Sequence, residues 1–514
     1  MFSKVKSCAV HGVDGRMIDV EADVNDGLPV FTMVGYLSSS VRESSERVRT
    51  ALKNSGFHLP PKRITINLSP ADMRKDGSGY DLAIATAVLL SLGVTAELPM
   101  EQTLVLGELS LDGSIKAIPG VLPMVICARE EGMTSCIVPK ENVQEAALVQ
   151  GISVIGVSSL KETMEYIQGI KEYENTNVEQ PAVDTSEYLY DIDFSDVVGQ
   201  ESIKRGMEIA AAGFHNVLLT GAAGAGKSML AKRLPTILPQ MSFEESLEVT
   251  KIYSVGGMLP PEGGLIHRRP FRAPHHTISE YALIGGGRVP TPGEVSFAHY
   301  GVLFLDELPE FSKPVLEVLR QPLEDRRIRI SRVQASYEFP ADFMFVAAMN
   351  PCPCGNYPDY RRCSCTEQQI RRYQSKVSGP LLDRIDIRME VKGVKQEVLF
   401  SKQKTESSKT IRARVEQARQ MQKDRFAGTG LLFNSQLDGK NLEEYITLSE
   451  EGKRLVLQLF EEQELSVRGV HRVLKLARTI ADLAGSEEIE NAHLQEAAFY
   501  RNQDVFAKEV LYGN

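Results

Sequence analysis

Apolar positions along residues 1–95 recur first at every second residue and then at helical spacing. Alternation over 17–24 and 63–68 predicts strands, and Val13-Asp14-Gly15-Arg16 carries a hairpin turn signal. Residues 38–54 predict a helix that opens on serines and stops just before Gly56. The apolar run at 82–96 is broken by Thr86, Ser91 and Gly93 and is shorter than the roughly 20 residues a membrane span needs, so a buried core helix is expected. A further strand near 104–109 and a turn at Asp112-Gly113 lead to the close of this α/β unit near residue 170. Residues 171–192 are polar and acidic without either period, as an interdomain linker is. From 193 to 398, runs such as Val302-Leu303-Phe304-Leu305 have no polar alternation and predict a parallel sheet buried on both faces. Beyond 399 the period is helical to residue 514, with helices expected near 408–424, 441–462, 466–485 and 489–510.

Composition changes this picture little. A chain of 514 residues with 42% apolar and 25% charged residues is ordinary for several globular domains. The net charge of −10 excludes a general polycation, so any nucleic-acid contact must come from local basic patches. The opening Met1-Phe2-Ser3-Lys4-Val5-Lys6 lacks the apolar stretch of a signal peptide, and seven cysteines without an export signal fit a reducing, cytoplasmic setting with no membrane partner.

Gly221-Ala-Ala-Gly224-Ala-Gly226-Lys227-Ser228 matches G-x-x-x-x-G-K-[ST], follows the apolar run Val217-Leu218-Leu219 and precedes a helical pattern beginning Met229. Small residues let successive backbone N–H groups turn toward one anion, and the helix start adds a favourable dipole. Lys227 would reach the β- and γ-phosphates of ATP, and Ser228 would offer its hydroxyl to Mg²⁺. The 302–305 strand, expected beside the phosphate-loop strand, ends in Asp306 and Glu307, which suit a metal-side acid and a water-polarising base. A third apolar strand, Phe343 to Met349, ends in Asn350, an amide for orienting water.

Cys352, Cys354, Cys363 and Cys365 crowd into 14 positions and offer four thiolates for one tetrahedral Zn²⁺; fewer ligands or plain reduced thiols are the alternatives. Residues 320–332 hold five arginines against two acids. Alternation of Arg327, Arg329 and Arg332 with apolar positions predicts one strand of a hairpin with a charged edge, suited to DNA phosphates or simply to solvent.

The order of these elements resembles AAA+ ATPases, and within them the magnesium-chelatase-like group of the ComM/YifB type. The resemblance is carried by Val198-Gly199-Gln200, the phosphate loop, Phe271-Arg272-Ala273-Pro274-His275-His276, residues 301–307, Gly-Pro-Leu-Leu-Asp-Arg-Ile-Asp at 379–386 and Ala-Arg-Thr-Ile-Ala-Asp-Leu at 477–483. It implies a parallel-sheet ATPase core with a C-terminal helical lid, and a homo-oligomeric, hexameric ring. It also implies that Arg384 is an arginine finger reaching a neighbour's γ-phosphate, with a local pair to Asp383 or Asp386 as the alternative. Arg468 matches the sensor-2 position and Arg472 is second. His275 and His276 fall in a helix-2-type insert and are expected to be structural or pore residues rather than metal ligands.

The N-terminal unit resembles the Lon-protease-like fold through Lys75-Asp76-Gly77-Ser78-Gly79 and the stretch from Gly107 to Gly113. Leu122 stands where a Ser–Lys dyad would need its lysine, so a non-proteolytic role is expected. The resemblance as a whole implies an ATP-driven DNA motor for branch migration and recombination. A protein-remodelling or metal-insertion motor and an ATP-dependent protease are the alternatives.

Overall fold

The structure, a computed structural model, describes residues 1–172, 190–260, 264–332, 335–393, 405–463 and 465–501. Most of the expected linker at 171–192, the boundary near 398 and the end of the last expected helix lie outside the described residues.

Residues 2–157 build a seven-stranded mixed sheet in the order Val30–Val34, Arg63–Ser69, Asp14–Asn25, Phe2–His11, Thr103–Val105, Ser135–Pro139, Ser153–Val157. His11 faces Asp14 across the first hairpin, so its turn is Gly12-Val13, not the expected Asp14-Gly15. Gly12 supplies the left-handed φ of +68° that such a turn requires. Gly15 lies inside the strand, where a Cβ would sit 2.6 Å from that of Cys127; its glycine answers a packing demand that resembles a turn signal in sequence. Asp81–Ser91 is the expected core helix, with ten of its 11 residues buried. Among the described residues no helix is long and apolar enough to cross a membrane.

The second sheet is parallel throughout, in the order Phe271–Arg272, Val302–Leu305, Met344–Met349, Val217–Thr220, Ile387–Glu390. The acid-bearing Val302–Leu305 strand is therefore one place removed from the phosphate-loop strand, and Met344–Met349 lies between them. Both central strands are wholly buried, so their burial patterns do not tell which of them is the neighbour.

C-terminal helices Ser408–Arg425 and Val467–Leu483 pack on Glu201–Gly213. Val415, Leu476 and Ile480 join Val217, Val346 and Ile387 in one core. The single helix expected over 441–462 is two, Gly439–Tyr445 and Glu450–Glu462, because the Ser449 hydroxyl caps a new start by accepting from the Gly452 N–H at 3.1 Å. The N-terminal unit docks on the ATPase core through Val13, which sits in the same cluster as Ile252 and Phe339, and through the Gly120 N–H donating to the Ser254 carbonyl at 3.0 Å.

Candidate nucleotide site and the opposite sheet edge

The three central strands all deliver their functional residues at their C-terminal ends. After Thr220 the chain turns through Gly224 (φ +76°) and Gly226 (φ +93°), left-handed conformations that a side chain would strain. Gly221 has no room for a side chain, since a Cβ would stand 2.2 Å from the Val391 carbonyl oxygen. The loop feeds the helix Lys227–Arg233, whose first turn holds no acid to repel an anion. Met229, in that first turn, exposes its side chain.

Lys227 is 8% exposed and donates to the carbonyls of Gly221 (2.7 Å) and Ala222 (2.9 Å) and to Asn350 Oδ1 (3.0 Å). Burial lowers its pKa, and the charges of Asp306 and Glu307 partly offset that. Ser228 donates its hydroxyl to Asp306 Oδ2 at 2.5 Å, so two oxygen donors of the kind Mg²⁺ takes stand side by side. Glu307 has a left-handed φ of +51° and its N–H donates to Asp306 Oδ1 at 2.9 Å. The sequence-predicted Lys227, Ser228, Asp306 and Asn350 thus meet in one cluster. His276 joins them: its Nδ1 lies 4.0 Å from Glu307 Oε2, and its ring packs on His275 with centroids 4.0 Å apart. Sequence reasoning gave His276 no place at this site, because the contact joins the insert to a strand end some 30 residues away.

The cysteine cluster adjoins the same edge. All four Sγ atoms lie within 4.8 Å of one another, and those of Cys352, Cys354 and Cys363 are 3.4, 3.5 and 3.7 Å apart. A tetrahedral Zn²⁺ with Zn–S bonds of about 2.3 Å spaces its sulfurs about 3.8 Å apart, so the donor set fits that ion. The backbone N–H of Asn356 is the main influence holding the Cys354 thiol down to about 6. Gly355, between the cysteine pairs, packs on the phosphate loop so closely that a Cβ would stand 3.3 Å from Ala223 N.

Arg384, Arg468 and Arg472 are elsewhere. They share a cavity of about 220 Å³ with Asn216, Phe343 and Asp386, residues that immediately precede the same parallel strands. The arginines therefore occupy the edge of the sheet opposite Lys227, and the fold does not bring them to the chain's own phosphate loop. Arg384 is 9% exposed and pairs with Glu324, not with Asp383 or Asp386, while its Nη1 donates to the Pro380 carbonyl at 2.7 Å. Asp386 instead accepts from Arg472 Nη1 at 2.7 Å and from the Asn216 N–H at 3.0 Å. Burial works against the Asp386 carboxylate, but Arg472 and His215 outweigh it and hold its pKa well below the ordinary range. Glu324 escaped sequence reasoning because it lies 60 residues before its partner.

The hairpin Arg327–Ser331 with Ser336–Pro340 forms as expected. Arg327 and Arg329 both bond Glu338, at 2.7 and 2.9 Å, and Arg332 donates to the Gly287 carbonyl at 3.2 Å. In the N-terminal unit Ser78 hydrogen-bonds Glu108, Leu122 is fully buried, and Lys75 donates to the backbone carbonyls of Pro70 and Met73.

A phosphate loop on a five-stranded parallel sheet, with an acid pair and an amide at the neighbouring strand ends, defines a P-loop ATPase of the AAA+ class. Family models agree with that architecture along the chain: "Magnesium chelatase, subunit ChlI" matches residues 193–399, "Subunit ChlI of Mg-chelatase" 20–142, and "Magnesium chelatase, subunit ChlI C-terminal" 405–501. The chain is 40% identical over 503 residues to the competence protein ComM of Haemophilus influenzae, covering 97% of each. It is 41% identical over 506 residues to YifB of Escherichia coli, covering 98% of this chain and 97% of YifB. A shorter match, 30% over 183 residues, joins 32% of this chain to 32% of Lon protease 2 of Bacillus subtilis. The chain belongs to the magnesium-chelatase-like ComM/YifB family of AAA+ ATPases. ATP and Mg²⁺ are the cofactors that membership implies, and the oxygen donors at Ser228 and Asp306 fit the metal.

Proposed function

We propose that this protein is a ring-forming, ATP-driven motor that acts on DNA in branch migration and recombination, in the cytoplasm, as a homo-hexamer. The observation that carries the ring is the separation of Lys227 from Arg384 and Arg468 by the length of the parallel strands. Each ATP site is then completed by the neighbouring subunit, with Arg384 and Arg468 arriving from outside. Within a subunit the phosphate-loop N–H groups and Lys227 bind the phosphates, Ser228 and Asp306 hold Mg²⁺, Glu307 polarises the attacking water and Asn350 positions it. When bound, Mg²⁺ neutralises charge developing on the β- and γ-phosphate oxygens. The four cysteines hold a structural Zn²⁺ that staples the loop beside the phosphate loop. Residues 1–170 form a non-proteolytic domain, 171–192 a linker, 193–398 the motor and 399–514 the lid.

The DNA assignment draws support from the relationship to a protein named for competence and from the exposed Arg332 beyond the paired hairpin arginines. ATPase rate measured with single-stranded, duplex and four-way-junction DNA tests it: stimulation by at least one is expected, and none by any would sink the DNA reading. A protein-remodelling motor like the magnesium chelatase subunit is the second reading. It is favoured by Glu338, which occupies two of the three hairpin arginines that DNA would need.

A further inference from the structure

Between the N-terminal unit and the ATPase core lies a cleft of about 250 Å³ whose basic lining is arginine from both sides: Arg16 and Arg74 from the first, Arg288 and Arg332 from the second. It continues into a shallow trough that adds Arg42 and the serine-capped start of the helix Ser39–Asn54, whose first turn holds no acid. Tyr36 borders both, and Tyr337 closes one wall with its ring stacked on His11 at 4.4 Å.

These guanidinium groups are unevenly matched within the chain. Arg74 pairs with Asp76 at 3.2 Å and Arg332 reaches only a backbone carbonyl. Arg16, Arg42 and Arg288 are exposed and have no side-chain partner among the described residues. Asp72 also lines the cleft, and Glu43 and Glu46 line the trough, so the surface is not uniformly basic. Its positive groups nonetheless face one another from two separate units, where like charges repel unless an anion lies between them. Arginine's planar fork matches phosphate oxygens in pairs, and tyrosine faces accept a base without regard to its identity.

We propose that this interdomain cleft holds a single nucleic-acid strand, its phosphodiesters on Arg16, Arg74, Arg288 and Arg332 and a base against Tyr36. The proposal rests on the DNA reading above and locates the strand away from the hairpin arginines that Glu338 occupies. Because the strand touches both units at once, its binding links the N-terminal domain to the motor.

The test is fluorescence anisotropy of a labelled 30-nucleotide oligo-dT on full-length protein across a salt series, for wild type and the double variant Arg16→Glu/Arg288→Glu. Affinity should fall by about tenfold or more at low salt, and the log–log salt slope should shrink by about 1.4, the value for two lost contacts to a single strand. ATPase rate without nucleic acid should stay unchanged, since neither arginine adjoins the nucleotide. A double variant that binds with unaltered affinity and slope overturns the cleft while leaving a DNA motor intact. Wild type that binds no nucleic acid of any form sinks the DNA reading itself. Competition by poly-glutamate at concentrations as low as those of unlabelled oligo-dT would reassign the cleft to an acidic polypeptide. Photo-crosslinking of wild type to an iodouracil-substituted oligonucleotide gives a readout that does not depend on a folded variant. Adducts at Tyr36 or Tyr337 are expected, and adducts confined to other regions would overturn the placement.

Discussion

The two edges of the five-stranded sheet are built differently. At the C-terminal edge the chain uses glycines, a short helix start and small oxygen donors, packed so that Lys227 bonds Asn350 and Ser228 bonds Asp306. At the N-terminal edge it gathers long cationic side chains, two of them steadied by a local carboxylate: Arg384 by Glu324, Arg472 by Asp386. A phosphate needs preorganised N–H groups and a metal at one point and diffuse positive charge at another. In the ring proposed above, placing these on opposite edges would make neither sufficient alone and would tie catalysis to assembly.

The largest effect should come from the C-terminal edge. Glu307→Gln should lower the ATPase rate by about 10²–10⁴-fold while ATP binding persists, as loss of a general base does. Measuring kcat beside nucleotide affinity checks it, and an unchanged kcat removes Glu307 from the mechanism. Arg384→Ala should cost about a thousandfold at the other edge, as loss of an arginine finger does. The sharper form is a mixture: Lys227→Ala and Arg384→Ala subunits, each inactive alone, should regain activity together because some interfaces then carry both intact edges. No recovery from a mixed ring would break the comparison at its centre.

Asp386→Asn tests the local steadying. It leaves the half-buried Arg472 beside a neutral group, a change that should cost less than the roughly 3–5 kcal/mol of breaking a fully buried pair. The sign of the pH dependence follows from the depressed pKa of Asp386. Its contribution is fully present above the unfolded value of about 3.9 and is lost as pH falls through the folded value. Denaturant unfolding should therefore show wild-type stability declining below about pH 4, with a shallower decline in the variant. A smaller effect is expected where the cysteine loop meets the phosphate loop. Cys363→Ser should release Zn²⁺, measured by a chromogenic chelator, and weaken ATP binding through Gly355 by a few-fold, about 1 kcal/mol. Metal-free wild-type protein with full ATP affinity would separate that loop from the nucleotide edge.

Much of the C-terminal edge was legible in the sequence because its chemistry is local. A glycine-rich loop, two acids after four apolar residues and an amide after a buried run are each contiguous strings whose strand context is visible in the same window. The serine cap of the helix Ser39–Asn54 was legible for the same reason, whereas the Ser449 start signal lay inside a longer helical period. The first turn was misplaced because Gly15 serves a close approach to Cys127, and a sequence does not separate a packing glycine from a turning one.

The sequence by itself determined the class of chemistry, the parallel sheet and the helical end of the chain, since each depends on spacings of a few residues. Only the tertiary structure decided which strand lies beside the phosphate-loop strand, that His276 approaches Glu307, that Glu324 takes Arg384, and that Glu338 takes Arg327 and Arg329. Those relations join positions brought together by chain crossovers or cross-strand register. Burial alone leaves them degenerate, because two buried strands look alike to a hydrophobic pattern and a surface carboxylate carries no sign of the cation it will meet.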